Sequence, residues 1–391
     1  MRLFLQRTLI ALLACVLTFL AAEGAYRLYK FHFYGLVDYP DVFSLGFFRP
    51  DPVYGMVAQK NIASDRLSPK LRRHAELTRG FSPSFRTNSW GYRGKEFSLQ
   101  KAPQIYRIAA LGGSTTMCME LGENETWPAQ LEARLNENQA FLRAHGAVRV
   151  EVINAANGGW RSRENLIRVR EDLRRLDPDL LLLALSWNDV CLGTSGEDPD
   201  RPVLRKKPWW YHSALLQNLR VRYLRSQDYS RHHHESIRSR LSRDKRWAHA
   251  LFENVAAIQA IADEKGAQVI LVNLPGLCRR AGMKGEEYRR VLQETRVTPL
   301  NYPVWVEFNE FERIFFKEMG ESMEIPVADI AGGFEAFSGP RRVELFVDEM
   351  HVTSKGAAEV ARLTSSFLVG WRGRARRPLS QIRNPQHRNL Y

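Results

Sequence analysis

Five residues in four short blocks have the types that an acyl-transfer site needs. Ser114 ends IAALGGS, Gly159 lies in AANGGW, Asn188 in SWND, and Asp348 and His351 in DEMH. A serine hydroxyl attacks a carbonyl only when a base takes its proton, and histidine suits that task near neutral pH. The histidine needs a carboxylate to fix its tautomer and steady the imidazolium. Asp348, three residues before His351, can make that contact within one turn. The tetrahedral intermediate then needs N–H donors aimed at its oxyanion. The backbone N–H groups of Ser114 and Gly159 and the side-chain amide of Asn188 supply three. Glycine at 159 admits a close backbone approach. A helix starting at Ser114 would add a dipole that favours negative charge there.

Each block alone is ordinary. Gly-Gly-Ser after a strand is common turn chemistry, and Asn188-Asp189 or Gly158-Gly159 alone reads as a bend. DEMH alone reads as a helix N-cap with an incidental histidine. The first block is not a phosphate-binding loop, because the Gly-Lys-Ser/Thr ending is absent. It is not the Gly-x-Ser-x-Gly elbow either, because position 116 is Thr. The elements around the blocks give them joint weight. Runs rich in Val, Ile and Leu predict strands over 106–111, 148–156, 180–186 and 268–275, with a weaker fifth over 325–330. Helical stretches lie between them, and SKGAAEVARLTSSFLVG is the last. The pattern predicts a three-layer α/β/α sandwich around a mostly parallel five-stranded sheet. Reactive groups in such a sheet gather at the carboxyl ends of its strands. All four blocks stand at a strand end or just before the last helix.

Serine in the first block, glycine in the second, Asn-Asp in the third and Asp-x-x-His in the last resemble the SGNH (GDSL-type) hydrolases. Within them, LGGSTT with NSWGYRG before it, and TWPAQLEARL and INAANGGWRS after it, is similar to a membrane-anchored, exported bacterial subgroup. The resemblance spans roughly residues 85–371 and implies a flavodoxin-like fold and ester hydrolysis. It implies Ser114 as nucleophile, Asp348 and His351 as the rest of a triad, and Ser114, Gly159 and Asn188 as the oxyanion hole. Gly113 replaces the Asp of the Gly-Asp-Ser form, and Ser186 stands where the third block usually has Gly. The second-block glycine is Gly158 or Gly159, and the spacing favours Gly159. No metal or organic cofactor is implied. The triplet His232–His234 lies in an Arg-rich polar stretch without a supporting Cys, which is the pattern of a solvated helix face.

The net charge of +14 on 391 residues suits anionic neighbours. Location selects among them. Arg2 and Arg7 precede the apolar run Thr8–Ala22, and Tyr26, Arg27, Tyr29 and Lys30 follow it like the dressing of a membrane interface. This predicts a retained single-pass anchor in the inner membrane with the remainder periplasmic; cleavage near Ala22 and secretion is the alternative. An exported domain makes nucleic acid an unexpected partner, and anionic lipid heads or envelope polymers fit the charge better. The expected organisation is an anchor over 1–30 and an arm over 31–104. A hydrolase-like domain follows over 105–371, with an insertion at 190–250, and a basic tail over 372–391. Cys118, Cys191 and Cys278 allow one disulfide or three free thiols.

The substrate expected is an acyl ester. Trp160 and Trp187 flank the proposed oxyanion donors, so each either stacks on a sugar ring, favouring O-acetyl on an envelope carbohydrate, or packs in the core. Trp209, Trp210 and Tyr211 of the insertion form either a lid or a buried seam. Three activities fit the blocks: an anchored esterase first, an O-acyltransferase using the same acyl-enzyme, and an inactive binding protein that keeps the pocket.

Overall fold

The computed structural model describes residues 1–34, 47–66, 82, 84–185, 187–190, 198–200, 213–216, 219, 245–279, 289–291 and 302–371. Ser186, Cys191, Trp209, Trp210, Tyr211, the His triplet and the tail 372–391 lie outside them.

Helix α1 runs from Arg2 to Tyr34. It is longer than the apolar run Thr8–Ala22, because no proline interrupts the residues that follow and only Gly24 weakens them. Its stretch Arg2–Tyr29, 28 residues, is long and apolar enough to cross a membrane. This helix is compatible with a membrane anchor or a signal sequence.

A hairpin follows, of β1 (Phe48–Asp51) and β2 (Gly55–Ala58). The α/β part then runs β3 (Ile105–Gly112), α2 (Ser114–Met117), α3 (Trp127–Glu137), α4 (Gln139–Ala144) and β4 (Arg149–Asn154). After it come α5 (Ser162–Leu176), β5 (Leu180–Ala184), α6 (Arg246–Lys265) and β6 (Gln268–Asn273). The last elements are α7 (Tyr302–Met323), β7 (Val327–Asp329), α8 (Ile330–Phe334), α9 (Gly339–Val343) and α10 (Ser354–Gly370). All five predicted strands form, including the weak fifth. They order as β4-β3-β5-β6-β7 and every neighbouring pair is parallel.

Alternation along the strands builds the three layers. Ile108, Ala110, Leu182 and Val272 pack with Trp127, Leu131, Val360 and Ala361 of α3 and α10. Ala109, Leu111, Leu183 and Leu271 pack on the other face with Val169, Leu251, Phe315 and Phe316 of α5, α6 and α7. β5, LLLLA, is buried throughout, so each of its leucines contributes about 1.5–3 kcal/mol from burial. The chain leaves β3 for β4 on one side and returns to β5 on the other, which makes the carboxyl ends of β3 and β5 the crevice of this fold.

One charged pair crosses the sheet. Arg107 Nε lies 2.7 Å from Glu151 Oε2, with both side chains under a tenth exposed. The guanidinium also donates to the carbonyls of Ser98, Leu99 and Leu176. Removing only the acid leaves a buried cation short of its partner, so Glu151→Ala should cost about 3–5 kcal/mol. The urea midpoint of the detergent-solubilised full chain measures it; a loss below about 0.5 kcal/mol would mean the three carbonyls alone satisfy Arg107.

Candidate active site

β3 ends in a turn that needs glycine for space. A Cβ at Gly112 would stand 2.5 Å from Ala184 O on β5 and 2.5 Å from Thr116 Oγ1. At Gly113 it would stand 2.6 Å from Asn188 Nδ2. The β3 turn and the loop after β5 therefore touch with nothing between them. Asn165 of α5 steadies the strand end from below, its Oδ1 accepting the Gly112 N–H at 2.9 Å. Ser114 opens α2, which is a single turn, so the dipole of a longer helix expected at this serine is not available.

The late block closes on this serine. Val347 N–H donates to His351 O at 2.7 Å, and Phe346 bridges Val352, so DEMH is the tip of a tight reversal. Within it His351 Nδ1 lies 3.0 Å from both Asp348 oxygens, and Asp348 Oδ1 also accepts the backbone N–H groups of Met350 and His351. His351 Nε2 lies 2.8 Å from Ser114 Oγ, across 237 positions of chain. Ser114, Asp348 and His351 are thus brought into one hydrogen-bonded line.

Gly159 follows β4 in a turn with φ +76°, the left-handed region that favours glycine, and it is exposed. Gly158 is buried, with its N–H directed at Met117 Sδ, 3.2 Å away. Asn188 spends one amide proton on Trp160 O at 2.7 Å, so the turns after β3, β4 and β5 meet at this side chain. Its neighbour Asp189 is buried and accepts Ser162 N and Oγ, which fastens the third block to the start of α5. Burial pushes the Asp189 carboxyl up to about 6 against the lowering by these bonds.

Both tryptophans expected at the substrate are packing residues. Trp160 is 3% exposed; its ring stacks on Tyr54 at 4.9 Å, the Arg168 guanidinium stands 4.6 Å from its centroid, and its Nε1 donates to Met56 O. Trp187 is 5% exposed and stacks on Phe308 at 4.6 Å. Neither leaves a face for a sugar ring. The reason lies in their neighbours: the arm covers the first and α7 covers the second. Cys118 and Cys278 are buried free thiols, and burial pushes each up to about 12.

Three site residues were missed in the sequence. Asn157 receives the Ala58 N–H and donates to Met56 O, which pins the β2 edge beside Gly159. Met56 itself reaches within 3.5 Å of the Cβ position of Gly159. Glu120 stands 4.0 Å from His351 Nδ1. Met56 belongs to an arm that shows no periodicity, and Asn157 follows β4 but takes its partners from that arm; only the short spacing Ser114 to Glu120 offered a signal.

The profile of the GDSL-like Lipase/Acylhydrolase family matches residues 110–358, nearly two thirds of the chain. The chain belongs to this family. The matched GDSL-like segment opens within β3 and closes within α10, so it takes in all four blocks, and the protein is an ester-hydrolysing enzyme. Among solved structures it is similar to a putative acylhydrolase from Bacteroides fragilis, at 17% identity over 67% of this chain and 86% of that one, with TM-score 0.35. It is also similar to a GDSL-like lipase from Bacteroides thetaiotaomicron, at 15% identity over 67% and 87%, with TM-score 0.35. A catalytic mutant of an acetylxylan esterase from Geobacillus stearothermophilus aligns at 15% identity over 69% and 97%, with TM-score 0.40. Among curated proteins, none matches the chain.

The electrostatics of the GDSL-like site concentrate on the imidazole. Burial alone would lower the His351 pKa; the bond to Asp348 and the charges of Glu120, Asp348 and Glu349 outweigh it and push it up to about 9. Burial would raise Asp348, but the bond and charge of His351 and the two backbone N–H donors hold it down to about 2. His351 stabilises the fold fully below its ordinary 6.5 and loses that as pH rises through about 9. Asp348 contributes above its ordinary 3.8 and loses that as pH falls through about 2. The pair therefore contributes most between these two ordinary values. The imidazole NMR signals of His351 should titrate with a midpoint near 9, and Asp348→Asn should lower that midpoint; a wild-type midpoint at or below 6.5 would contradict the charge balance.

Proposed function

We propose that ester hydrolysis in this enzyme runs through a triad of Ser114 as nucleophile, His351 as base and then acid, and Asp348 as the carboxylate that orients the ring. The observation that carries the reading is the 2.8 Å contact between Ser114 Oγ and His351 Nε2, backed by Asp348 on the other ring nitrogen. With the imidazole proton on Nδ1 towards Asp348, Nε2 takes the hydroxyl proton as Oγ attacks the acyl carbon. The imidazolium then returns that proton to the leaving alcohol, which frees the acyl-enzyme for attack by water. The oxyanion donors in this reading are the Ser114 N–H, the Gly159 N–H and the second amide proton of Asn188. Exposure favours Gly159 over the buried Gly158, whose N–H is already directed at sulfur. Met56 beside Gly159 and Met119 beside Gly158 give the rim an apolar side that suits the acyl part of the ester. With both indoles buried, neither offers a platform to an O-acetyl carbohydrate, and the reading keeps to an acyl ester.

The same proposal retains α1 as a single-pass anchor that places the hydrolase domain outside the cytoplasm. Glu23, 8% exposed, accepts the Ser213 hydroxyl and the N–H groups of Ala214 and Leu215, and Arg27 pairs with it at 2.7 Å. Cleavage at Ala22-Glu23 would cut the helix next to the residue that ties it to the 213–215 segment. The mature protein should therefore keep its first 22 residues by mass spectrometry of membrane-purified material; a new N-terminus at Glu23 or beyond would refute the anchor.

Ser114→Ala and His351→Ala should abolish hydrolysis of p-nitrophenyl acetate, and Ser114→Ala should abolish labelling by a fluorophosphonate, without loss of fold by circular dichroism. Asn188→Ala should lower kcat by about 10²- to 10³-fold. An unlabelled wild type, or full-rate Asn188→Ala, would overturn the corresponding assignment.

A further inference from the structure

We propose that Glu120 is a positioning residue of this site, a second carboxylate on the His351 ring that sets the pH range in which Ser114 is activated. The proposal rests on the Ser114–His351 reading and goes beyond its three-residue triad. Glu120 Oε1 lies 4.0 Å from His351 Nδ1, the nitrogen that Asp348 already holds at 3.0 Å. The Glu120 side chain is 14% exposed and the imidazole 15%, so water screens the pair only in part.

The backbone that carries Glu120 is fixed on both sides. Cys118, a non-glycine residue at φ 51°, turns the chain back after α2. Met119 O then accepts the Ser82 N–H, Leu121 N donates to Cys118 O, and Leu121 O accepts the Arg93 guanidinium at 2.6 Å. Ser82 and Arg93 belong to the arm, and Arg93, 4% exposed, feels the charge of Glu120. Among the described residues three acids act on the imidazole: Asp348 and, through its charge, Glu349 from its own turn, and Glu120 from the segment after α2. From α2 itself Ser114 faces it, uncharged. Asp348 accounts for the tautomer and the orientation. Glu120 makes no hydrogen bond to the ring at 4.0 Å, so its action is through charge.

A base works only when neutral, so added negative charge around it moves the acid limb of kcat/KM upward in pH. The experiment compares p-nitrophenyl acetate hydrolysis and fluorophosphonate labelling of Ser114, each as a function of pH, in the full detergent-solubilised chain and its variants. Glu120→Gln should shift the acid limb down by about one pH unit or more in both profiles. Its rate at pH 7, relative to its own alkaline plateau, should rise about tenfold. Glu120→Asp keeps the charge and should hold the limb within about 0.3 unit of wild type. A Glu120→Gln limb that coincides with wild type, or a Glu120→Asp limb displaced as far as that of Glu120→Gln, overturns the proposal. Failure of the wild type to label at Ser114 would instead bring down the nucleophile reading, and this proposal with it.

Discussion

Serine and histidine separated by 237 positions stand 2.8 Å apart, and that single contact sets the tolerance of the whole molecule. A hydroxyl–imidazole bond weakens within a few tenths of an ångström, so each end must be held by something stiffer than a surface loop. The serine end is held by the end of β3, where two glycines let β5 and the Asn188 loop pack directly on the backbone. The histidine end is held by a tight reversal clamped between α9 and α10, with the Leu277 N–H after β6 donating to Glu349 O. Both ends therefore refer back to the same parallel sheet.

The arm is the second support. Its aromatic residues Phe47, Phe48 and Phe85 bury against Met117 and Ala156, which places apolar packing directly beneath the α2 turn. Polar contacts join it to the loops around Ser114 and Gly159: the Ala58 N–H of β2 donates to Asn157 Oδ1, and Arg93 donates to Leu121 O as well as to Arg86 O within the arm. Unpaired buried backbone groups are costly, so these contacts close the loops as well as cover them. An arm that looks like a leader to the domain is in this way a wall of its site.

Burial also decides which aromatic residues are left to a substrate. Trp160 sits in a column with Tyr54, Arg168 and Tyr92, and Tyr92 donates its hydroxyl to Asp172. Tyr54 and the Arg168 guanidinium pack on the Trp160 ring, which is left 3% exposed. Electrostatics gather instead on the imidazole, where acidic charge from two separate chain segments outweighs the effect of burial.

The sequence by itself determined the sheet, the layers and the four blocks. Strand runs and helix periodicity are local signals, and a parallel α/β topology forces the strand ends to one edge whatever the details. Even the three-residue spacing of Asp348 and His351 is local enough to read. Only the tertiary structure decided that Trp160 and Trp187 pack inward, that Gly159 is the exposed glycine of its pair, and that α2 is one turn. The same holds for Glu120, Met56 and Asn157 at the site. Each of these depends on contacts between residues far apart in the chain, with the arm, α7 or the His351 turn on the other side, and no period in the residue order encodes which distant surface will meet a given side chain.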